Sequence, residues 1–263
     1  MGPSPESIRI PMVLRDRYIN GGGLFVLNDS GGKDSQAMRI IVRSLLPAMS
    51  LVVIHAPLGE IEWPGALEHA QAGAKRDGLK FITAPATKTF LEMVEHRHAT
   101  KPSVPCWPSK SCRQCTSDLK RGPIEREIRR EAKARGLNFI VNCVGYRWQE
   151  STDRRDLPEV SRSDRNSKAG REWWNWHPIL HLTEEQVFET ISKAGESPHP
   201  AYGWGNQRLS CLFCIMGSKG DLRNAAQRHP QVYWKYVELE RRTGYTMHQS
   251  RISLPILTGV EVA

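Results

Sequence analysis

The sequence predicts an α/β fold, in which a doubly wound, Rossmann-like parallel sheet carries a cysteine-rich insert and a helical C-terminal part. Short apolar runs without polar alternation are typical of central parallel strands, and they occur at residues 24–27, 51–54, 81–83 and 139–141. Helical patterns lie between and after these runs, at residues 35–47, 65–77, 87–97 and 119–135. Strands that alternate with helices indicate an open α/β sheet.

Beyond residue 180 the pattern becomes helical. Thr183 and Gln186 form a capping box that opens a helix at 184–194, and residues 219–242 predict one or two further helices. We therefore expect a nucleotide-binding domain at residues 1–180, with the insert at 98–118, followed by a helical part at 181–263. Residues 147–177 are polar and rich in arginine and tryptophan, which favours a functional loop or lid.

The composition favours an anionic ligand. The 263 residues include 37 Lys and Arg against 28 Asp and Glu, a formal net charge of +9, and residues 110–135 hold nine basic and four acidic side chains. This charge indicates a nucleic acid or a phosphate-bearing partner, although a solvated helix face is the alternative. No apolar run is long enough to span a bilayer and no secretory signal is evident, so we expect a cytoplasmic protein.

A glycine turn follows the first predicted strand. It reads Ser30-Gly31-Gly32-Lys33-Asp34-Ser35 and leads into an amphipathic helix. A strand, a glycine turn and a helix N-terminus bring free backbone N–H groups and the positive end of the helix dipole to one point. The spacing of a Walker A loop is absent. The segment therefore predicts a phosphate site of another kind.

This segment resembles the PP-loop of the adenine nucleotide α-hydrolase-like enzymes, which cleave ATP between the α and β phosphates. The resemblance implies that the six loop residues bind the pyrophosphate end of ATP and that Lys33 and Asp34 act in catalysis. It also implies that Asp34 helps to bind Mg²⁺ or caps the helix.

A second element follows the fourth predicted strand. Gly145 to Ser151, with Arg154 three residues on, resembles the G-x-R-x-x-E-S-x-x-R element of the phosphoadenosine phosphosulfate (PAPS) reductase branch of that superfamily. The resemblance spans roughly residues 22–245 and implies that Arg147 and Arg154 bind an anionic substrate while Glu150 orients one of them. A polar loop with local ion pairs is the alternative.

The cysteines form two spaced pairs. Cys112 and Cys115 make one C-x-x-C pair, and Cys211 and Cys214 make the other. Two such pairs suit either tetrahedral zinc or a [4Fe–4S] cluster, and buried thiols without a ligand are the alternative. Cys143 lies in the apolar run of the fourth strand and is predicted to be a core residue.

Within the PAPS reductase branch, the resemblance favours the iron–sulfur cluster over zinc. The cluster-bearing members have a cysteine pair followed by a lysine and a proline, and Cys115, Lys120 and Pro123 are similar to that pattern. Thr116 stands where those members have a second cysteine. The fourth ligand is therefore expected to be Cys112, with Cys106 or the absence of a fourth cysteine ligand as the alternatives.

The departures from the reductases favour ATP cleavage. The 263 residues contain no cysteine after Cys214, where the reductases carry their nucleophile, and the loop has the complete SGGKDS form. The resemblance thus implies an ATP pyrophosphatase that adenylates an acceptor for sulfur transfer, releasing AMP and pyrophosphate. A tRNA or DNA substrate and a sulfur donor protein are the implied partners. The alternatives are a sulfonucleotide reductase and a nucleic-acid-binding subunit with a regulatory ATP site.

Tryptophans are concentrated at residues 173–176. Beside an arginine-rich segment, these rings suit a stacking platform for a nucleic-acid base. The alternative is that they cover the edge of the core.

Overall fold

The computed structural model describes residues 4–261. Its strands are β1 (Leu24–Asn28), β2 (Leu51–His55), β3 (Lys80–Thr83), β4 (Phe139–Val144), β5 (Val160–Arg162) and β6 (Glu172–Trp176). Its α-helices are α1 (Met12–Gly21), α2 (Lys33–Leu45), α3 (Ala66–Arg76), α4 (Phe90–Thr100), α5 (Gln114–Thr116), α6 (Gly122–Ala134), α7 (Thr152–Arg155), α8 (Glu184–Lys193), α9 (Lys219–Arg228), α10 (Pro230–Thr243) and α11 (Leu254–Thr258). Every helix among these residues is too short or too polar to cross a bilayer.

The strands form one sheet in the order β3-β2-β1-β4-β6-β5. All neighbouring strands are parallel except β5, which runs antiparallel to β6. The chain moves to one side of β1 to form β2 and β3, and then returns to its other side to form β4. This reversal makes β1 and β4 a topological switch point, which confirms the predicted α/β fold class and the positions of its first four strands.

The prediction of a loop or lid at 147–177 is wrong in part. This segment supplies β5 and β6, and β6 pairs with β4 along its whole length. Trp173 and Trp176 are buried, at 1% and 0% exposure, so these two rings belong to the interior and do not form a stacking platform. The strand was missed because its tryptophans are mixed with Glu172 and Asn175, which hide the apolar pattern.

The chain divides into two compact units, each made from several segments. The first unit contains residues 1–55, 65–83 and 124–199, and the second contains residues 56–64, 84–123 and 200–263. One boundary near residue 180 is expected from the sequence, whereas in the structure the insert at 98–118 belongs to the same unit as the C-terminal helices. This grouping arises because the chain enters the second unit after β2 and again after β3.

Each unit has its own hydrophobic core. In the first unit, buried side chains of the strands pack with those of α2 and α8, as Phe25, Met38, Val141 and Val187 illustrate. The second core is richer in aromatic rings and is formed by residues such as Phe90, Trp107, Phe213, Tyr233 and Tyr236. Burial of these large rings stabilises the second unit.

Candidate nucleotide and cysteine sites

The glycine turn connects β1 to α2. Gly31 has a φ of +75°, and a Cβ atom there would lie 2.4 Å from the carbonyl oxygen of Ala66, so a larger residue does not fit. Gly32 occupies the N-cap of α2 and offers no side-chain cap. The first-turn N–H groups of α2 are therefore available for an anion, as the sequence predicts for a phosphate loop.

The Asp29 side chain stabilises the conformation of this turn. Its carboxylate oxygen Oδ1 accepts hydrogen bonds from the backbone N–H of Gly31 at 2.9 Å and from the Ser35 hydroxyl at 2.8 Å. Asp29 is buried, so these bonds lie in a setting where loss of a partner is costly. The carboxylate thus connects the two ends of the loop.

Lys33 is almost completely buried, with 1% of its side chain exposed. Its ammonium lies 3.1 Å from Glu184 Oε1 and 3.6 Å from Asp34 Oδ2. A buried ammonium needs such partners to remain charged. The α8 helix, which opens at the predicted capping box of Thr183 and Gln186, brings Glu184 to this lysine.

Arg147 joins the loop to the end of β4. Its Nε donates to the carboxylate of Asp34, and its Nη1 donates to Gln149 at 3.1 Å. Gly145 permits this approach, because a Cβ atom there would lie 2.9 Å from the Asp34 carbonyl oxygen. Arg147 and Asp34, predicted separately from two motifs, are therefore in direct contact.

Glu150 fixes Arg154 and the backbone beside it. Its Oε2 accepts from the Arg147 N–H at 2.9 Å and forms an ion pair with Arg154. The Arg154 guanidinium lies over the Tyr146 ring, 4.0 Å from its centroid, and that ring stacks on His177. Burial lowers the pKa of His177, which favours the neutral imidazole.

A buried ion-pair network supports the same unit. Arg39, with 1% exposure, pairs with Asp77 and Glu196, and its Nε lies 3.8 Å from Asp29 Oδ2. Gly73 leaves room for the guanidinium, because a Cβ atom there would lie 2.8 Å from Arg39 Nε. Arg39 thus links Asp29 to the carboxylates of Asp77, directly after α3, and of Glu196, after α8.

The cysteines at 115, 211 and 214 lie close enough to influence one another. Burial raises the pKa of the Cys211 thiol to about 11, while the Lys120 ammonium opposes that rise. Burial and the neighbouring Cys214 likewise raise the pKa of Cys115. The charge of Cys211 is in turn the main cause that raises the pKa of Lys120. These four residues form what we term the cysteine site.

Backbone pairing helps to fix Cys211 in this site. Cys211 forms an isolated antiparallel bridge with Glu62, and the Leu212 N–H donates to the Ile61 carbonyl oxygen at 2.8 Å. On the other side of the site, a π-helical turn at Ser117–Arg121 follows α5 and carries Lys120. Two segments far apart in sequence therefore meet here.

The remaining cysteines have different surroundings. Cys112 is exposed, and its N–H donates to the Ser109 hydroxyl at 3.0 Å. Cys106 is buried in the core of the second unit, and Cys143 is buried in that of the first, as predicted. Among residues 4–261, no three Cys, His, Asp or Glu side chains are arranged as ligands of a single metal ion.

Four of the nine basic side chains at residues 110–135 lie on α6. On α6, Arg126 and Arg130 pair with Glu127 and Arg129 pairs with Glu125, and Arg135, directly after the helix, pairs with Glu131. Much of the charge of this helix is therefore neutralised by its own glutamates. This pairing agrees with the alternative of a solvated helix face.

A basic groove lies in the second unit. It has a volume of about 580 Å³ and is lined by residues of α4 and of the turn at 117–122. Its charged or titratable side chains are Lys88, His96, Arg97, Lys101 and Asp118. We refer to these five residues and the space between them as the basic groove.

The sheet order and the SGGKDS loop at the end of β1 define a PP-loop protein of the adenine nucleotide α-hydrolase-like class. Residues 25–216 match the phosphoadenosine phosphosulfate reductase domain family. Because this match covers most of the chain, the protein belongs to that family, which confirms the resemblance stated from the sequence.

One curated relative is the uncharacterized 37.8 kDa protein in the gpa 5′ region of Escherichia phage 186. It is 27% identical over 186 residues, which are 68% of this chain and 52% of the relative. The chain thus spans about half the length of that protein.

Solved structures show weaker similarity. The phosphoadenylyl-sulfate reductase of Candida auris, in a phosphate complex, has a TM-score of 0.49 and 13% identity over 80% of this chain and 88% of its own. The ATP complex of Candida glabrata FMN adenylyltransferase has a TM-score of 0.47 and 14% identity over 78% and 60%. The NH3-dependent NAD synthetase of Campylobacter jejuni has a TM-score of 0.42 and 11% identity over 95% and 92%. The family assignment rests on the sequence match.

Sequence reasoning missed Asp29, Arg39 and Glu184. Asp29 had a usable signal, because it is a carboxylate that directly follows a buried strand and precedes a phosphate loop. Arg39 and Glu184 had none, since each is one charged residue on a helix that carries other charged residues.

Proposed function

We propose that this protein is an ATP pyrophosphatase that transfers the adenylyl group of ATP to an acceptor in preparation for sulfur transfer. The observation that carries the proposal is the complete SGGKDS loop, held by Asp29 at the N-terminus of α2 with Lys33 beside it. Such a loop offers backbone N–H donors and one buried cation to a phosphate chain. The substrate is MgATP.

The loop residues supply charge stabilisation in this proposal. Pyrophosphate gains negative charge as the bond between the α and β phosphates breaks, and donors fixed in advance stabilise that charge most effectively. The Ser30 hydroxyl and the first-turn N–H groups of α2 bind the leaving group, while Gly31 and Ser35, which donate to Asp29, hold the loop around it. Lys33 gives up part of its interaction with Glu184 and pairs with a phosphate oxygen.

Arg147 and Arg154 bind the anionic part of the acceptor or of the adenylate. Arg147 is buried and positioned by Asp34, whereas Glu150 and the Tyr146 ring restrict Arg154. Guanidinium groups held in this way suit bidentate binding of phosphate or carboxylate. Asp34 positions Arg147 and, with MgATP bound, also contributes to the metal environment.

The cysteine site is proposed to hold a [4Fe–4S] cluster through Cys115, Cys211 and Cys214, with Cys112 as the fourth ligand. The donor chemistry supports this proposal, since three thiols from two distant segments lie near Lys120. When bound, the cluster supplies a redox-active sulfur centre. Lys120 offsets the negative charge of the thiolates. Zinc is the competing occupant, and metal analysis with visible absorption separates the two.

The acceptor is proposed to be a nucleic acid, tRNA or DNA, bound in part by the basic groove. Lys88, His96 and Lys101 are exposed there, and Asp118 is the acidic residue among those that line it. Groups of exposed cations of this kind contact phosphodiester backbones. This assignment moves the nucleic-acid surface away from α6, whose arginines are paired.

The double variant Lys88→Ala/Lys101→Ala tests the groove. Each lost phosphate contact lowers the slope of log affinity against log salt by roughly 0.7 to 0.9. We expect weaker RNA or DNA binding and a slope lower by about two contacts. Lys75→Ala/Lys133→Ala removes the same charge from exposed helix positions and should bind normally. Equal losses in the two double variants would contradict a specific groove.

A sulfonucleotide reductase is the second candidate, favoured by the family match itself. The two functions differ in their products. An adenylating enzyme releases pyrophosphate from ATP when its acceptor is added, whereas a reductase consumes a finished sulfonucleotide and releases none. Pyrophosphate release measured with tRNA, DNA and no acceptor tests the first function, and absence of release with ATP alongside turnover of a sulfonucleotide would overturn it.

A further inference from the structure

Three asparagine side chains form a row across the central strands of the sheet. Asn28 is the last residue of β1, Asn142 lies in β4, and Asn175 lies in β6 directly opposite Asn142. Asn28 Nδ2 donates to Asn142 Oδ1 at 2.7 Å, and Asn142 Nδ2 donates to Asn175 Oδ1 at 3.2 Å. We refer to these three residues as the asparagine row.

The Cys143 carbonyl oxygen fixes the direction of all three amides. It accepts a hydrogen bond from Asn28 Nδ2 at 2.8 Å, and a carbonyl oxygen can only accept. Asn28 must therefore turn its nitrogen toward β4, and each following amide turns the same way to complete its hydrogen bond. The row ends in a carbonyl oxygen, Asn28 Oδ1, and an N–H donor, Asn175 Nδ2. Neither end has a hydrogen-bond partner in the part of the chain that the structure describes.

The row interrupts an apolar face of the sheet. Side chains two residues apart in a strand share a face, and the residues two positions before the asparagines are Val26, Ile140 and Trp173, which are all buried. The asparagines themselves are only partly buried, so this face is accessible toward the carboxyl ends of the strands. Placing polar groups in such a face costs free energy even when they pair with one another. A row of amides here therefore indicates a binding function.

The position of the row also points to a ligand. β1 and β4 form the topological switch point, and open α/β sheets bind ligands at the carboxyl ends of the strands there. Only Asp29 separates Asn28 from Ser30, where the SGGKDS loop begins. Asn175 lies two strand spacings from Asn28, about 10 Å. A molecule with its phosphates in the loop, or one that reacts with that molecule, therefore reaches the row with its uncharged part.

We propose that the asparagine row binds the polar edge of a nucleobase, with Asn175 Nδ2 donating a hydrogen bond to an acceptor atom of the base. This inference rests on the proposed function, in which ATP and a nucleic acid each bring a base to this end of the sheet. The row is uncharged, and amide groups pair with the nitrogen, N–H and carbonyl groups of base edges. A phosphate or carboxylate would instead require cations such as Arg147. Because each amide orients the next, the row is a specificity-determining element.

The base belongs either to ATP or to the nucleic-acid acceptor, and two sets of probes separate these sources. Calorimetric titration with ATP and GTP detects a base on the nucleotide, because adenine has an acceptor ring nitrogen where guanine has N–H. Anisotropy with oligo(A), oligo(C) and oligo(U), without nucleotide, detects a base on the acceptor, because only uracil of these three has N–H at that position. The wild type should prefer ATP in the first case, and oligo(A) or oligo(C) in the second.

The full-length variant Asn175→Asp is the main test. Its Oδ1 can still accept from Asn142, but the terminal N–H donor becomes a carboxylate oxygen. We expect the wild-type base preference to fall by about tenfold or more. Asn142→Leu removes the amide that orients Asn175 and should weaken the same preference without adding charge. Asn138→Asp adds the same charge as Asn175→Asp at an exposed position directly before β4, and it should keep the wild-type preference.

Thermal unfolding shows whether each variant is folded, and if one of the two row variants does not fold, the other decides the outcome. A wild type without any base preference would overturn the inference. So would folded row variants that keep the wild-type preference or that lose affinity equally for every base.

Pyrophosphate release separates this inference from the proposed function. A wild type whose base preference depends on Asn175, but which releases no pyrophosphate with any acceptor, would support base binding and refute the pyrophosphatase. Pyrophosphate release that continues without any base preference would do the reverse.

Discussion

The candidate nucleotide site of the first unit is built largely from one short stretch of backbone, whereas the cysteine site of the second is built from side chains of distant segments. Residues 29–35 provide the turn, the helix N-terminus and the carboxylate under it. The cysteine site needs residues 115 and 120 and the 211–214 turn. A site made of backbone depends on glycine and on local geometry. A site made of side chains depends on the packing of segments that are distant in sequence.

The largest effect is expected from Gly31→Ala. The added Cβ would clash with the Ala66 carbonyl oxygen at 2.4 Å, so the loop must move and ATP binding should be lost. Gly78→Ala is the control, since Gly78 has a φ of +67° but no atom within 4 Å of the added Cβ. It should lose only about 1 kcal/mol of stability and bind ATP normally. Calorimetric ATP titration checks both, and wild-type affinity in Gly31→Ala would contradict the loop assignment.

Lys33→Ala should reduce the rate of pyrophosphate release by roughly 10²-fold or more, the scale of a lost charge-stabilising donor. Lys75→Ala, at an exposed position of α3, should leave the rate unchanged. Thermal unfolding of both variants shows whether the Lys33 variant is folded. A folded Lys33→Ala protein with the wild-type rate would remove this lysine from the mechanism.

A smaller effect is expected when the capping threonine of either capping box is replaced by alanine, and it should differ between the two helices. Thr183 caps α8 in the first unit and Thr89 caps α4 in the second, so alanine at either position should cost about 1 kcal/mol of stability. Only Thr183→Ala should also weaken ATP binding, because Glu184 at the start of α8 contacts Lys33. Equal ATP affinity of the two variants at a temperature where both are folded would argue against that connection.

The smallest effect concerns pH and two buried glutamates. Burial raises the pKa of Glu196, but hydrogen bonds from Arg39 and Arg76 outweigh burial and hold it below the ordinary value. Glu240 has no such cation, and burial keeps its pKa above the ordinary value although Met247 and Leu254 N–H groups donate to it.

The two glutamates therefore affect stability in opposite directions. Glu196 stabilises the fold above the unfolded-state pKa, about 4.5, and this stability is lost as pH falls through its lower folded pKa. The contribution of protonated Glu240 is present below about 4.5 and is lost as pH rises through its higher folded pKa. Denaturant unfolding across pH should show a flatter acid limb for Glu196→Gln and a flatter slope above about 4.5 for Glu240→Gln. Unchanged slopes would refute the assignment of these two residues.

Sequence periodicity was sufficient for the first four strands and for α2, α3, α4, α6, α8, α9 and α10, because these elements have clear apolar patterns. It did not identify the short helices α5, α7 and α11. It failed at β6, where tryptophans alternate irregularly with polar residues, and at α1, which has a weak apolar face. The phosphate loop could be identified from the sequence because its residues are contiguous. The contact of Arg147 with Asp34 could not be identified in this way, since residues this far apart in sequence meet only through packing.

The central claim is that the SGGKDS loop directs cleavage between the α and β phosphates of ATP. The direct measurement is to incubate the wild-type protein with MgATP labelled at the γ phosphate, together with tRNA or DNA, and to identify the labelled product. We expect labelled pyrophosphate, with the unlabelled adenylyl group attached to the acceptor until a sulfur donor or water displaces it as AMP, and no labelled pyrophosphate in Lys33→Ala. Labelled inorganic phosphate with ADP, formed by the wild type and lost in Lys33→Ala, would contradict the claim.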